Sequence, residues 1–356
     1  IAAKYIPFKI LLLTVSLIYL YFFFPALNHF LGFLLYGYII YYSLDYVFKL
    51  NNKLFGAILL VVPMFFVKGL ILKDIISFAG LSYITFRVTQ LYIDNVNTNK
   101  PVSIIDYLCF TLFPPTLLIG PIDRFERFKS DIDKGYERIN TQALTDGWQI
   151  MLYGILQKYV LAELVNRYWL SHAVTDSKAL PDMLNYMYAY SFYLYLDFAG
   201  YSSLAVGLSK MFGINTPENF NSPFLAVNPQ DFWRRWHVTL GDWLKDYIFR
   251  PYYKWISSKP KWKQYPLFRQ NSGLFVTFLA MGFWNGFKGY LIISGCIFAV
   301  YSVVHNTYDY YCRKNGRDIV FGKLPPMAIK VLSIFIMFNL ACFALYVFSG
   351  KFPFIK

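Results

Sequence analysis

The chain has 356 residues, of which 57% are hydrophobic, 21% aromatic and only 15% charged, with a mean hydropathy of +0.39. Soluble proteins contain about 25% charged residues, so this composition excludes an ordinary soluble domain and predicts a protein of the lipid bilayer. The net charge of +14 suits either a nucleic-acid partner or basic cytoplasmic loops. Four widely spaced cysteines form no C-x-x-C pair, so they indicate neither a metal site nor a disulfide framework.

Apolar segments long enough to cross a bilayer, about 20 residues each, recur along the chain. They predict spans near 6–24, 28–46, 54–72, 147–169, 183–210, 272–287, 290–311 and 331–350, with less regular ones near 76–93 and 103–120. The first span runs straight into further apolar segments, unlike a cleaved signal peptide, and the start at Ile1 leaves open whether residues precede it. The pattern predicts one all-α, multi-pass membrane domain over residues 1–356, with N-terminal spans in 1–73.

Charged residues interrupt two of these apolar runs. Arg87 lies in GLSYITFRVTQLYID, and Asp197 lies in YSFYLYLDFAGYSSLAVGLSKMFG. A charge inside a bilayer costs at least ~3 kcal/mol on insertion scales, so both residues are candidates for function. The plainer interpretation, which we favour, is that both face the bundle interior and satisfy a neighbour, or each other.

Residues 113–128 read FPPTLLIGPIDRFERF and include helix breakers, among them Gly120 and Pro121. Broken backbone at membrane depth is tolerated only where protein or a water-filled cavity covers it. The charged residues that follow, beginning with Asp123 and Arg124, mark the exit to a membrane interface. The pattern predicts a structural loop.

The polar segment TPENFNSPFLAVNPQDFW ends in a helix start. Asn228 is a suitable N-cap, Pro229 suits the first helical position, and Asp231 complements the helix N-terminus. The next residues, DFWRRWHVTLGDWLKDY, predict one amphipathic helix that lies along the membrane or enters it partly. Its apolar face comprises Phe232, Trp233, Trp236, Leu240, Trp243, Leu244 and Tyr247. Its polar face comprises Arg234, Arg235, Asp242 and Lys245.

One of the four histidines, His237, lies within this predicted helix, on the apolar side beside Trp233, Leu240 and Leu244. One interpretation is a core histidine that donates to a backbone carbonyl. The other is a desolvated imidazole with a lowered pKa, which accepts a proton from a hydroxyl or holds a reacting group in place. Spacing leaves both interpretations open.

Positive charge is concentrated in two loops between the C-terminal spans. Residues 245–269 contain seven basic side chains against the single acid Asp246, and residues 313–330 contain five against Asp318. Two spans separate these loops, so both can face the cytoplasm, with the C-terminus outside. Because the basic residues flank spans instead of forming one aromatic-studded surface, we expect no nucleic-acid partner.

Three motifs in order resemble the membrane-bound O-acyltransferase (MBOAT) family: DFAGYSSLAVGLSKMFGINTPENFNSPFL, DFWRRWHVTLGDWLKDYIF and MGFWNG. Within the family, GLSYITFRVTQ, GPIDRFERF and FALYVFSGKF look most like the branch that D-alanylates teichoic acids. The motif WRRWH is more similar to the alginate O-acetyltransferase branch. The resemblance covers about residues 75–350, and the ordered series is more specific than any single motif.

The resemblance implies a bundle of about ten or more membrane helices, some amphipathic or re-entrant, around a central tunnel in a bacterial cell membrane. An acyl thioester would enter from the cytoplasm, and the acceptor would be a hydroxyl of an envelope polymer or an extracellular partner. In the D-alanyl branch the donor is the phosphopantetheine arm of an acidic carrier protein; elsewhere it is acyl-coenzyme A. The basic loop 245–269 suits either polyanion. No permanently bound cofactor is expected, and membrane lipids are the remaining partner.

Two site residues follow from the resemblance. His237 matches the family's motif histidine, whereas the second histidine, expected in a WHG motif, is replaced by Asn285 in FWNG. Asparagine cannot act as a general base near neutral pH, although it hydrogen-bonds like a neutral imidazole. Three explanations stay open: an inactivated variant, a natural enzyme in which Asn285 orients the substrate or stabilises an oxyanion, or a non-catalytic relative that binds an acyl group or partner.

The predicted site therefore pairs His237 with Asn285 and contains no metal. Further candidates for lining the tunnel or binding substrate are Trp233, Arg234, Trp236, Asp242, Trp284, Asp197 and Arg87. The predicted reaction is direct attack by an acceptor hydroxyl on a D-alanyl thioester, assisted by His237, with Asn285 polarising the carbonyl. The alternatives are O-acetyl transfer to an exported polysaccharide and a non-enzymatic scaffold.

Overall fold

The computed structural model describes residues 2–23, 27–49, 56–62, 80–98, 102–175, 177–316 and 324–355. Within these ranges the regular elements are helices, and the one extended feature is an isolated antiparallel bridge between Phe220 and Trp236. The described chain is all-α, as the sequence predicts. It divides into two compact units, residues 1–156 with 200–218 and residues 157–199 with 219–356. The prediction of a single membrane domain stays a prediction.

The α-helices follow one another with short π-helical and 3₁₀ segments between them. They are α1 (Ala2–Phe23), α2 (Leu27–Lys49), α3 (Leu81–Thr98), α4 (Ile104–Thr111), α5 (Pro114–Leu117), α6 (Phe125–Asp133), α7 (Gly135–Arg138), α8 (Thr141–Ile155), α9 (Ala162–Tyr168), α10 (Leu180–Met211), α11 (Pro229–Trp233), α12 (Val238–Leu244), α13 (Arg250–Ser257), α14 (Pro260–Lys263), α15 (Pro266–Asn285), α16 (Gly289–Asn315) and α17 (Pro326–Phe348). Residues 56–62 are also helical. The π-helical segments are Leu156–Leu161 and Lys245–Phe249, and the 3₁₀ segments are Leu170–His172 and Pro223–Leu225.

Arg87 of α3 explains how the first unit tolerates a broken helix. Pro114 and Pro115 have no N–H groups, so a continuing helix could not satisfy the carbonyls of Phe110 and Thr111 four residues earlier. The buried guanidinium of Arg87 donates to these two carbonyls, at 2.8 and 3.2 Å, and to the carbonyl of Thr116 at 2.6 Å. The arginine therefore replaces the donors that the prolines lack.

Small residues bring α8 and the C-terminal part of α10 close together in the first unit. A Cβ on Gly154 would lie 2.7 Å from the Gly200 carbonyl oxygen, and a Cβ on Gly207 would lie 2.5 Å from the Gly147 carbonyl oxygen. Glycines seven residues apart on each helix thus form one contact seam, a common way for membrane helices to approach.

The helices α15 and α16 form the scaffold of the second unit. They are joined by residues 286–288 and meet closely at Gly295, where a Cβ would lie 2.7 Å from the Phe278 carbonyl oxygen. α17 joins the pair through Ser294, whose hydroxyl donates to the Ala344 carbonyl at 2.9 Å. Trp284 and Asn285 therefore lie at the end of α15, directly before the connection at residues 286–288 that leads into α16.

Several predicted spans correspond to single helices, and two do not. The span 147–169 is interrupted by the π-helical segment Leu156–Leu161, and the span 103–120 is divided between α4 and α5. Most of the span 54–72 and the start of 76–93 lie outside the described residues. Among the described residues, α16 and α17 are long and apolar enough to cross a membrane, and Pro7–Phe22 is a shorter apolar stretch. The ten-helix bundle stays a prediction.

Candidate functional site

The segment around His237 is the main difference between the predicted and observed structures. The sequence predicts one continuous helix from Pro229 through Tyr247, but α11 ends at Trp233 and α12 begins at Val238. The predicted helix start is confirmed, because Asn228 caps α11 by accepting from the Asp231 N–H at 2.7 Å. The single helix is wrong because His237 has a left-handed backbone, with φ 45° and ψ 52°, which a right-handed helix cannot include.

Backbone hydrogen bonds hold this break open. The bridge between Phe220 and Trp236 is flanked by the Asn221 N–H, which donates to the Arg235 carbonyl at 2.9 Å, and by the Val238 N–H, which donates to the Asn219 carbonyl at 3.0 Å. A non-glycine residue in a sparsely populated backbone region costs about 1–3 kcal/mol and persists only where its surroundings enforce it. The backbone hydrogen bonds from residues 219–221 stabilise the left-handed conformation of His237.

The His237 side chain is buried, with 5% of its surface exposed, between two aromatic rings. Phe198 meets it edge-on with ring centroids 4.8 Å apart, and Trp284 lies at 6.4 Å. Nδ1 lies 3.1 Å from Oδ1 of Asn219, while Nε2 is buried without a hydrogen-bond partner among the described residues. Burial lowers the pKa of His237 to about 3, so the imidazole is neutral at physiological pH.

Asn285 is the last residue of α15 and directly follows Trp284, which contacts the imidazole of His237. Its amide nitrogen donates to the Met281 carbonyl at 3.1 Å, one turn earlier in its own helix. An amide nitrogen has two hydrogens, so one N–H remains for another acceptor. The side chain is half-buried. Asn285 can therefore donate a hydrogen bond but cannot take up a proton.

The chain matches the membrane-bound O-acyltransferase family over residues 60–347. It belongs to this family. The chain is thus an O-acyltransferase by family, and the resemblance stated from its motifs is confirmed. No comparison assigns roles to its individual residues, so the parts played by His237 and Asn285 stay predictions.

Relatives of this MBOAT member come from the branches that its motifs indicate. It is 38% identical over 284 residues to a teichoic acid D-alanyltransferase of Bacillus subtilis strain 168, covering 78% of this chain and 70% of the relative. It is 33% identical over 253 residues to a peptidoglycan O-acetyltransferase of Helicobacter pylori, covering 69% and 44%. It is 30% identical over 256 residues to a probable alginate O-acetylase of Pseudomonas aeruginosa, covering 70% and 46%.

Two of the predicted lining residues pack into the aromatic core behind His237. Trp233 contacts Phe278 and Phe298, with ring centroids 5.2 and 4.9 Å away, and its indole N–H is buried without a partner among the described residues. Trp236 stacks on Phe232 at 5.6 Å. The buried indole N–H of Trp233 is therefore a donor that a ligand could use.

Two other candidates point away from this core. The Arg234 side chain is 73% exposed and lies 3.9 Å from Asp231, and the half-exposed Asp242 pairs with Lys245. Because their charged ends are accessible and locally paired, the structure does not bring them to His237.

Arg87 and Asp197 each find a partner within their own unit, so the suggested pairing of one with the other is not observed. Arg87 binds the backbone carbonyls described above, and Asp197 accepts from Lys158 in the π-helical segment. Arg87 therefore has a structural role that accounts for its charge.

The structural loop predicted over residues 113–128 is shorter than expected, because it contains α5 and the start of α6, and residues 118–124 connect these two helices. Gly120 is required there, because a Cβ would lie 2.3 Å from the Thr116 Cα. Asp123 is buried, its carboxylate pairs with Arg127, and it accepts from the Arg124 N–H at 2.6 Å. Burial raises the pKa of Asp123, and the charge of Arg127 opposes this shift. Pro121 follows the glycine directly.

The sequence did not indicate Asn219 and Phe198, which contact the His237 ring, or Thr239, which donates to the Asn219 side chain. Asn219 and Phe198 lie within the first motif that resembles the family, but nothing in their spacing singles them out. The property that marks Asn219 is its burial, with 1% of its surface exposed, and burial is visible only in the fold. Within the described residues no cluster of histidine, cysteine and carboxylate side chains could hold a metal ion.

Proposed function

We propose that this chain transfers a D-alanyl group from a thioester to a hydroxyl of a cell-envelope polymer such as teichoic acid. It does so as a multi-pass protein of the bacterial cytoplasmic membrane, and the donor is the phosphopantetheine arm of an acidic carrier protein. The D-alanyl assignment is supported by the 38% identity to the teichoic acid D-alanyltransferase, the highest value among the relatives described above.

The observation that supports acyl transfer most directly is the environment of His237. A neutral, buried imidazole has one nitrogen hydrogen-bonded to Asn219, and the other has no partner in the part of the chain that the structure describes. A buried acceptor left unsatisfied costs about 1–3 kcal/mol, a cost that an incoming hydroxyl would remove. Backbone strain at the same residue is typical of functional positions.

In the proposed reaction the acceptor oxygen attacks the thioester carbonyl carbon while its proton moves to Nε2 of His237. The carbon–sulfur bond then breaks, and the same proton passes to the departing thiolate, so the products are an ester and a free thiol. Because burial lowers the pKa of His237, a long-lived imidazolium is unfavourable. Proton uptake and sulfur departure are therefore closely coupled.

Asn285 supplies the second part of the proposed site. The N–H that Met281 does not use would donate to the thioester carbonyl oxygen, which gains negative charge as the hydroxyl attacks. This assigns Asn285 an electrostatic role that needs no proton transfer, consistent with its chemistry.

The exposed basic surface after α12 supports an anionic donor. Lys254, Lys259, Lys261 and Lys263 are exposed, and residues 245–269 have seven basic side chains against one acidic one. Opposite surface charges steer association, so an acidic carrier protein or the phosphates of a coenzyme would be attracted to this surface.

The test is ester analysis of the cell envelope. Cells that lack the endogenous activity are supplied with the chain or with His237→Ala, and the esters on the envelope polymer are identified by mass spectrometry. The chain should add D-alanyl esters, and His237→Ala should reduce them to the background level, since removing a general base costs about 10²–10⁴-fold. His172→Ala, at an exposed histidine, is the matched control and should retain full ester content.

Other outcomes separate the alternatives. Acetyl esters in place of D-alanyl esters would assign the chain to O-acetyl transfer. Unchanged ester content in His237→Ala would contradict the proposed site. The variant Asn285→His tests the alternative of a non-enzymatic scaffold. A large gain in ester content would indicate an enzyme that is impaired at this position. Persistent absence of esters despite donor binding would indicate a non-enzymatic protein.

A further inference from the structure

We infer that Asn219 is a positioning residue that holds His237 in one tautomer, with the hydrogen on Nδ1 and the lone pair of Nε2 directed to the reacting hydroxyl. The tautomer follows from geometry alone. Its use in acyl transfer rests on the proposed function.

The orientation of the Asn219 side-chain amide is determined by a neighbouring group that can only donate a hydrogen bond. A backbone N–H only donates, and that of Thr239 lies 3.3 Å from the Asn219 side-chain oxygen. The Thr239 hydroxyl donates to the same oxygen at 2.7 Å. The atom facing them is therefore the amide oxygen and not the amide nitrogen.

The imidazole tautomer then follows. Nδ1 of His237 lies 3.1 Å from this oxygen, which already accepts from Thr239 and has no hydrogen to offer. Nδ1 must therefore carry the hydrogen. A neutral imidazole has only one N–H, so Nε2 is an acceptor. Nε2 is the atom that has no partner among the described residues.

Asn219 is itself rigid enough for this role. It is 1% exposed, and its backbone carbonyl accepts from the Val238 N–H at 3.0 Å. The same residue therefore holds the left-handed backbone at His237 and orients its ring. A displacement of the 219–221 segment would change both together.

A neutral partner also keeps the imidazole uncharged. Among the described residues, Phe198, Trp284 and Asn219 contact the ring, and none of these three is charged. Burial alone accounts for the lowered pKa of His237, with no charged group contributing. An aspartate at position 219 would accept the same hydrogen bonds but would stabilise the imidazolium.

The tautomer can be measured without any activity, by ¹⁵N NMR of histidine-labelled protein in micelles. The His237 signals are assigned by their loss in His237→Gln. The wild type should show a protonated Nδ1 and an unprotonated Nε2, and Asn219→Leu should lose this preference. Asn221→Leu is the matched control, because Asn221 lies in the same segment but is exposed. A wild-type signal with the hydrogen on Nε2, or a tautomer unchanged in Asn219→Leu, would overturn the inference.

The kinetic test uses the acyl-transfer assay and two variants. Asn219→Leu should lower kcat about 10–100-fold, as removal of orienting partners typically does, with little change in KM for the acceptor. Asn219→Asp keeps the hydrogen bonds, so it should recover activity at high pH. The acidic limb of its kcat/KM profile should move up by about 1–3 pH units, because the new carboxylate raises the pKa of His237. A wild-type kcat in Asn219→Leu, or an unshifted profile in Asn219→Asp, would refute the positioning role.

The two proposals fail separately. If NMR shows the Nδ1–H tautomer and its dependence on Asn219 while no acyl transfer occurs, the inference about Asn219 stands and the proposed function is wrong. If acyl transfer occurs but the hydrogen lies on Nε2, the proposed function stands and the inference is wrong.

Discussion

At the residue scale, His237 combines a left-handed backbone, 5% exposure and an Nε2 atom with no partner among the described residues. Each of these features is unfavourable for folding, and all of them suit an imidazole that must remain neutral and accept a hydrogen bond. Elsewhere in the described residues, the other non-glycine residue with positive φ is Ser222, in the adjoining loop. The strain is therefore concentrated in the segment that forms the site.

The burial of His237 predicts a pH-dependent stability. Its pKa is lowered from 6.5 to about 3 in the folded state, so between these pH values the unfolded chain binds a proton that the folded chain does not. Folding stability should therefore decrease as pH falls from about 6.5 toward 3. Thermal unfolding in micelles at pH 7 and pH 5 should show a smaller loss of Tm for His237→Gln than for the wild type.

His172→Gln serves as the control for this measurement, because the His172 side chain is exposed. Its Tm should depend on pH as that of the wild type does. Equal pH dependence in His237→Gln and the wild type would show that His237 does not remain neutral on folding.

The residue scale also shows what the sequence could and could not predict. His237 was identified from its motif, and the cap at Asn228 was predicted correctly from local chemistry. Asn219 was not identified, because its contact with His237 joins positions 18 residues apart. The spacing argument placed His237 within a helix, since periodicity contains no information about a backbone conformation imposed by a distant strand-like segment.

At the element scale, the broken helix α4–α5 depends on a side chain from α3. The FPP sequence predicts the break, but only the fold shows that Arg87 supplies donors to the carbonyls that Pro114 and Pro115 leave open. The charge in an apolar run was therefore correctly expected to satisfy a neighbour. Its partner was not Asp197, because sequence alone does not show which elements become adjacent.

Arg87→Met should destabilise the protein strongly, by about 3 kcal/mol or more, because three buried carbonyls lose their donor at about 1–3 kcal/mol each. Arg87→Lys should be intermediate, since an ammonium lacks the planar fork that reaches several acceptors at once. Equilibrium unfolding in micelles measures both variants. Arg167→Met, at a side chain that is 66% exposed, should change stability by less than about 0.5 kcal/mol. If Arg87→Met were equally mild, the guanidinium would not be holding the break.

At the scale of the whole molecule, charge and helix order together predict a membrane topology for the C-terminal half. The exposed basic residues 245–263 precede α15, and Arg313 and Lys314 end α16. The turn at residues 286–288 lies between these two helices. The positive-inside rule predicts that the basic ends face the cytoplasm and that the turn that follows Asn285 lies toward the opposite side of the membrane. The all-α class was predictable from composition. The number of spans stays a prediction. The predicted span 147–169 contains the π-helical segment Leu156–Leu161, and the predicted span 103–120 is divided between α4 and α5.

This topology can be tested by labelling single cysteines with a membrane-impermeant thiol reagent. The four native cysteines are first replaced by serine, and cysteine is then placed at Ser258 or at Lys288, both of which are exposed. In intact cells stripped of their wall, Lys288→Cys should be labelled and Ser258→Cys should not, whereas permeabilised cells should label both. Ser349→Cys, just beyond α17, should behave like Lys288→Cys because one further span separates it from the basic end of α16. Labelling of Ser258→Cys in intact cells would invert the orientation. The basic surface would then face away from the cytoplasm, where the proposed thioester donor is located.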